Sequence, residues 1–193
     1  MLTIRSNDVD LGSMLRIDLF ANLLDMMAEA SSAEAALQQI DVCRRLLAGP
    51  GVFSVQLNVT TLNDPRNEIL LQRFYSSNGE RFPVRGRKRK TLTPWTETLF
   101  VRGEVFVGEG SAALEQTFDD FEQMRSLGLN AVVNVPLMHG ALCHATFNVF
   151  GTCGRWRPQQ VEAIRLLATS ASRWIRPIAN LGYSLDPNEG FGS

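Results

Sequence analysis

From Met14 to Ala30 the apolar residues Leu15, Leu19, Phe20, Leu23, Leu24, Met26 and Met27 recur at helical spacing, broken by Arg16, Asp18 and Asp25. This is the pattern of an amphipathic helix. Ser32 stands as an N-cap ahead of Glu34 and Ala35, and Leu37, Ile40, Val42, Leu46 and Leu47 carry an apolar stripe to Gly49-Pro50, which predicts a second helix. The period then changes to two. Between Val52 and Leu62, Phe53, Val55, Leu57 and Val59 alternate with Ser54, Gln56, Asn58 and Thr60, a strand with one polar face. The turn cluster Asn63 to Asn67 returns the chain into Glu68 to Ser76, its antiparallel partner.

Ser77 to Leu92 has little to bury and contains the run Arg85-Gly86-Arg87-Lys88-Arg89-Lys90, so a basic exposed loop is expected. Thr93-Pro94 places a cap residue before a proline at the start of a short helix over Trp95 to Val101. Val105 to Val107 reads as a short strand, Gly108-Glu109-Gly110 as a turn, and Phe118 to Gly128 as a short helix ended by glycine. Ala131, Val133, Val135 and Leu137 then define a strand, His139-Gly140 a turn, and Leu142 to Phe150 the returning strand. Val161, Ile164, Leu167, Ala168, Ala171, Ile175 and Ile178 outline a last helix from Pro158 to about Asn180, bent or ended by Pro177. The order contains no alternation of strand and crossover helix, so an α+β class is expected, an antiparallel sheet with helices on one side. The expected organisation is an N-terminal arm over 1–13, one domain over 14–181 and a frayed tail over 182–193.

The 193 residues, 45% of them hydrophobic and with a formal net charge of -1, are ordinary for a globular domain. That balance gives no general attraction to nucleic acid or anionic membrane. No run reaches the roughly 18 apolar residues needed to cross a bilayer, and the first residues lack the cationic start and apolar core of a signal peptide. A cytoplasmic location is therefore expected. Cys43, Cys143 and Cys153 form no CxxC pair and accompany only two histidines, which disfavours a closed zinc site.

Phe118-Asp119-Asp120, Met124 and Leu127-Gly128-Leu129 lead to Val132-Val133-Asn134-Val135-Pro136-Leu137, then Gly140 and Ala145-Thr146-Phe147-Asn148-Val149. Gly154-Arg155-Trp156, Gln159-Gln160-Val161 and Leu166-Leu167-Ala168 follow. This series resembles the GAF family: a helix, a Leu-Gly-apolar corner, an Asn-Val-Pro-Leu strand, a Gly-Thr-Leu-Asn-like strand, and a glycine and aromatic before a closing helix. Ala145 stands where the family usually has glycine. The resemblance implies a PAS/profilin-like antiparallel sheet with N- and C-terminal helices packed on one face and a ligand cavity on the other. It also implies a sensory or regulatory role and frequent dimerisation. It names no cofactor, because ligand class varies within the fold.

The strands themselves point to the same place. Phe53, Val55, Leu57, Val59, Ala131, Val133, Val135, Cys143, Ala145, Phe147 and Val149 would pack on the terminal helices. The opposite face carries Gln56, Asn58, Asn134, His144, Thr146 and Asn148. That face is either solvated, or covered by the connection from Thr93 to Gly128, with Trp95, Phe106 and Phe118 in an apolar roof over a ligand site. These nine side chains are the candidate ligand-binding residues.

Catalytic motifs are sparse. Cys143-His144 matches the dipeptide that anchors the chromophore in some tetrapyrrole-binding GAF domains, but there it sits in the helical connection and here on a strand, where neighbours face opposite ways. A Cys143/Cys153 redox couple is the enzymatic alternative, since a methionine-sulfoxide reductase uses a GAF fold. Asp119, Asp120 and Glu122 read as surface groups complementing a helix N-terminus. No residue is assigned to catalysis or to a metal. The expected function is a small-molecule-binding module without its own effector, acting through homodimerisation or a partner; the other alternative is a ligand-free interaction subunit.

Overall fold

The computed structural model describes residues 11–187, with side chains from residue 17 onward; residues 1–10 and 188–193, and the Leu15 contribution to the first helix, lie outside the described residues. The elements are α1 Leu11–Ala28, α2 Ala33–Ala48, β1 Gly51–Asn58, β2 Glu68–Ser76, β3 Arg87–Thr91, α3 Pro94–Thr96 running into a π turn over Glu97–Val101, β4 Phe106–Glu109, α4 Ser111–Thr117, α5 Phe121–Ser126, β5 Ala131–His139, β6 Leu142–Gly151 and α6 Pro158–Ser172. The six strands form one sheet in the order β3-β2-β1-β6-β5-β4. Every neighbouring pair is antiparallel.

The caps act where the sequence puts them. Ser32 accepts from Ala35 N at 3.1 Å, and Thr93 and Thr96 satisfy each other's backbone N–H groups in a capping box ahead of Pro94. At Gly51 (φ 148°) any Cβ would stand 1.9 Å from the Phe150 carbonyl oxygen, which fixes glycine at the tight entry into β1.

Two apolar clusters sandwich the sheet. Phe53, Val55, Val133, Val135, Phe147 and Val149 pack against Leu23 and Met27 of α1, Leu37 and Ile40 of α2, and Ile164, Leu167 and Ala168 of α6. On the other face Ile69, Leu71, Val132 and Phe150 pack against Phe82, Trp95, Leu99, Phe100, Phe118 and Met124. The polar face is thus roofed over.

Several expectations are corrected. The basic run is the edge strand β3, with Lys88 and Lys90 half-buried and Arg87 and Arg89 exposed; Phe82, in the same stretch, is buried. The period of two is invisible in the sequence because Arg87 to Lys90 are all cationic. Gly108 and Glu109 belong to β4, paired with Val132 and Ala131. The α4 helix carries one buried apolar residue, Leu114, too few for a visible stripe. In α2 the buried face includes Asp41 and Arg44, whereas Val42 and Leu46 are exposed. Asp41 Oδ1 accepts from Arg44 Nη2 at 2.6 Å, and Arg44 Nη1 donates to Gly49 O at 2.8 Å, tying the helix end to the turn into β1.

The α6 helix ends at Ser172 rather than near Asn180. Pro177 pushes Arg176 out of the helical region and cannot donate to the preceding turn. The α1 helix begins at Leu11, inside the expected arm. Past α6, residues 181–187 are docked rather than frayed: Gly182 N donates to Thr60 O at 3.1 Å, and Tyr183 Oη donates to Phe100 O at 3.0 Å and accepts from Cys143 N at 2.8 Å.

Candidate functional site

The site lies between the sheet and its roof. From the sheet, β1 supplies Ser54 and Gln56, β5 Asn134, β6 Asn148 and β2 Arg73. Trp95 and Phe118 close it from above. Trp95 Nε1 donates to Asn134 Oδ1 at 2.9 Å, Asn134 Nδ2 donates to Asn148 Oδ1 at 2.7 Å, and Asn148 Nδ2 donates to Thr146 O at 3.2 Å. This chain of buried amides latches the roof to the sheet. It leaves a cavity of about 30 Å³, room for about two waters. The cavity adjoins a vestibule of about 290 Å³ that shares Gln56, Arg73, Lys88 and Asp120 and opens between the exposed Arg81, Pro83 and Arg87.

Alternation in β3 aims Lys88 and Lys90 at the roof, where they pair with Asp120 and Asp119. The lysine bond holds the Asp119 carboxyl below the usual carboxylate range. These aspartates therefore hold the roof to the sheet edge rather than complement a helix dipole. An irregularity in the β1–β2 pairing at Val55/Gln56 lets Arg73 face the roof while Tyr75 turns to the helix side and packs on Phe53.

Of the nine candidate residues, Gln56, Trp95, Phe118, Asn134 and Asn148 line the cavity. The other four lie outside its lining. Asn58 is wholly buried and braces a strand end, donating to Cys143 O at 3.0 Å and accepting from Thr60 N at 3.1 Å. Phe106 is half-buried beside the second cluster. Thr146 and His144 are buried, the former with its hydroxyl and the latter with Nδ1 unpartnered.

His144 occupies the irregularity where β5 register jumps from Leu137↔Ala145 to Met138↔Cys143. Cys143 consequently falls in the roof-side cluster, not on the terminal-helix face. Burial, with His139 nearby at 6.4 Å between ring centroids, lowers the His144 pKa. Burial pushes the Cys143 thiol up to about 12 and raises that of Cys153 as well, so neither is a ready thiolate. Cys153 packs on the opposite cluster beyond the far end of β6. At about 3.3 Å per strand residue this separates the two sulfurs by more than about 20 Å, and they cannot form one redox couple.

Arg73, Lys88, Lys90 and Asp120 were not among the candidates. Two signals existed: Arg73 follows Ile69 and Leu71 at strand period, and the two lysines are spaced by two within the basic run.

No family model matches the chain, and no curated protein matches it in sequence. Solved structures match it in fold. The GAF domain of an Acinetobacter phosphoenolpyruvate-protein phosphotransferase superposes with a TM-score of 0.58 at 14% identity, over 83% of this chain and 92% of that one. The GAF domain of a two-component sensor histidine kinase from Bacillus halodurans gives 0.58 at 11%, over 76% and 95%. The chromophore-binding domain of a bacteriophytochrome from R. palustris gives 0.59 at 10%, over 86% of this chain and 62% of that one. With terminal helices on one face of an antiparallel six-stranded sheet and a helical roof on the other, this chain has the fold of a GAF domain.

Proposed function

We propose that the chain is a sensory or regulatory GAF-type domain that binds a small molecule between its sheet and its roof and signals through dimerisation or a partner. The observation that carries this reading is the burial of the polar sheet face. Amides from three elements converge with Trp95 and Phe118 on a cavity that continues into an open vestibule. A few polar groups among apolar walls is the usual make-up of a ligand site. The cavity is nearly filled by its own roof, so a ligand enters as the Trp95–Asn134 latch opens. Binding is thereby coupled to movement of α3 and the π turn, a helix form that recurs at functional sites.

The sensor-kinase and bacteriophytochrome domains that share the fold support a sensory role. Output through a homodimer is supported by α1 and α6, where Ile17 (64% exposed), Leu24 (55%) and Leu166 (55%) line one apolar groove. Among the described residues no helix is long and apolar enough to cross a membrane, which fits action in the cytoplasm.

Native mass spectrometry of protein purified from its own host, followed by denaturing extraction, tests the reading. A stoichiometric small molecule that is absent from Trp95→Ala protein is the expected result. A bound molecule retained undiminished in that variant would place the ligand elsewhere and refute this site.

A further inference from the structure

We propose that the ligand of this site is a small organic anion, a carboxylate or a phosphate ester, whose charged end is held by Arg73 where the inner cavity meets the vestibule. This rests on the cavity reading above and names the ligand's chemical class. Arg73 projects from the middle of β2 on the roof-facing side, is only 9% exposed, and lines both spaces. Its Nη1 donates to Pro83 O at 3.2 Å and its guanidinium lies over the Phe82 ring, 5.5 Å from the centroid, but its buried Nε has no hydrogen-bond partner. Asp120, the one carboxylate lining either space, is engaged by Lys88, and among the described residues none forms a salt bridge with Arg73.

A guanidinium stays charged in a protein, and a buried charge without a counter-ion is costly. Burial does lower the Arg73 pKa, with Asp120 opposing from a distance. An incoming carboxylate or phosphate meets the planar donor fork in matching geometry. The vestibule reinforces the sign, because Arg81, Arg87 and Lys88 join Arg73 around it against the single carboxylate of Asp120. The inner cavity adds aromatic and uncharged polar walls, with Trp95, Phe118 and Phe150 beside Ser54 and Asn148, to the charged side chains of Arg73, Lys88, Lys90 and Asp120. The complementary molecule has an acid group at one end and a flat or apolar body at the other.

The test uses the full chain, isotopically labelled, with the Trp95 indole N–H resonance assigned by Trp95→Phe and titrated with benzoate, phenyl phosphate and uncharged benzamide. Both anions should shift that resonance saturably, with benzamide at least about tenfold weaker, the scale of one hydrogen bond to a charged group. Tighter binding of phenyl phosphate assigns the site to phosphate esters, and tighter binding of benzoate to carboxylates. Arg73→Met should lose about tenfold or more of the anion affinity, leave benzamide unchanged, and melt no lower than wild type, because it removes an uncompensated charge at similar volume. Should Arg73→Met melt too low to titrate, Arg73→Lys carries the same test and must weaken the anions selectively. Benzamide binding as well as the anions, or undiminished anion affinity in the Arg73 variant, overturns the anion assignment while the cavity reading stands. A Trp95 resonance unmoved by all three probes overturns the cavity reading and this inference with it.

Discussion

Asn134 is the node of the latch, and its replacement by alanine can be worked through from the structure. The substitution strands Trp95 Nε1 and Asn148 Oδ1, both buried, without their partners. Each stranded polar atom costs about 1–3 kcal/mol, so two cost about 2–6 kcal/mol. The truncated side chain opens space beside a cavity of about 30 Å³, and an entering water that bonds both atoms brings the loss toward about 2–3 kcal/mol. For a chain of this length that lowers Tm by about 4–12 °C. Urea unfolding of Asn134→Ala, Trp95→Phe and the double variant closes the cycle. Because both single changes break the same bond, their costs should fail to add by about 1 kcal/mol or more. Costs that add to within about 0.5 kcal/mol, or a loss from Asn134→Ala below about 0.5 kcal/mol, would falsify the claim that this bond fastens the roof to the sheet.

The same geometry makes other outcomes definite. Iodoacetamide should label the partly exposed Cys153 in the native protein, while the buried Cys43 and Cys143, with thiols raised to about 11 and about 12, react only on unfolding; native labelling of Cys143 ahead of Cys153 contradicts the burial. Because the folded pKa of His144 lies below its ordinary 6.5, the unfolded chain takes up the proton first. Stability is therefore fully present above that value and falls as pH drops through the window beneath it. His144→Gln should flatten this slope in pH-dependent urea melts, and an unchanged slope rules His144 out as its source. Arg44→Ala leaves the buried Asp41 paired only with Arg45, 2.7 Å away, and frees the Gly49 carbonyl, so a loss of about 2–3 kcal/mol, below that of a fully unpaired buried charge, is expected; denaturation showing under about 1 kcal/mol contradicts it. Leu24→Glu with Leu166→Glu should halve the mass seen by light scattering if α1 and α6 pair between copies, and an unchanged dimer mass moves that interface elsewhere.

How much of the site was legible depends on how local its signal is. The polar faces of β1, β5 and β6 could be read because alternation is a property of neighbouring residues, and Ser54, Gln56, Asn134 and Asn148 all face the roof as that alternation requires. Trp95 was legible because Thr93-Pro94 announces the start of its helix. Arg73 and Lys88 were not, since a cation on a strand looks solvated until another element is laid over it. Asn58 and His144 show the converse. Their place in the alternation is right, but a strand-end brace in one case and a bulge in the other remove them from the cavity lining.

Apart from β3, α4 and the faces reversed at the irregularities by Tyr75 and Cys143, the order of elements, the caps, the turn glycines and the division of strands into two faces were determined by the sequence itself, through backbone preferences and periodicity that act within a few residues. Tertiary structure alone decided which charges are buried and what they meet. The burial of the Arg44–Asp41 pair, the docking of Tyr183 between Phe100 and Cys143, the lysine–aspartate pairs across the roof and the burial of the unpaired Arg73 Nε all depend on which distant elements are laid against one another. A side chain's hydration and electrostatic surroundings are set by what covers it, and that cover comes from distant parts of the chain.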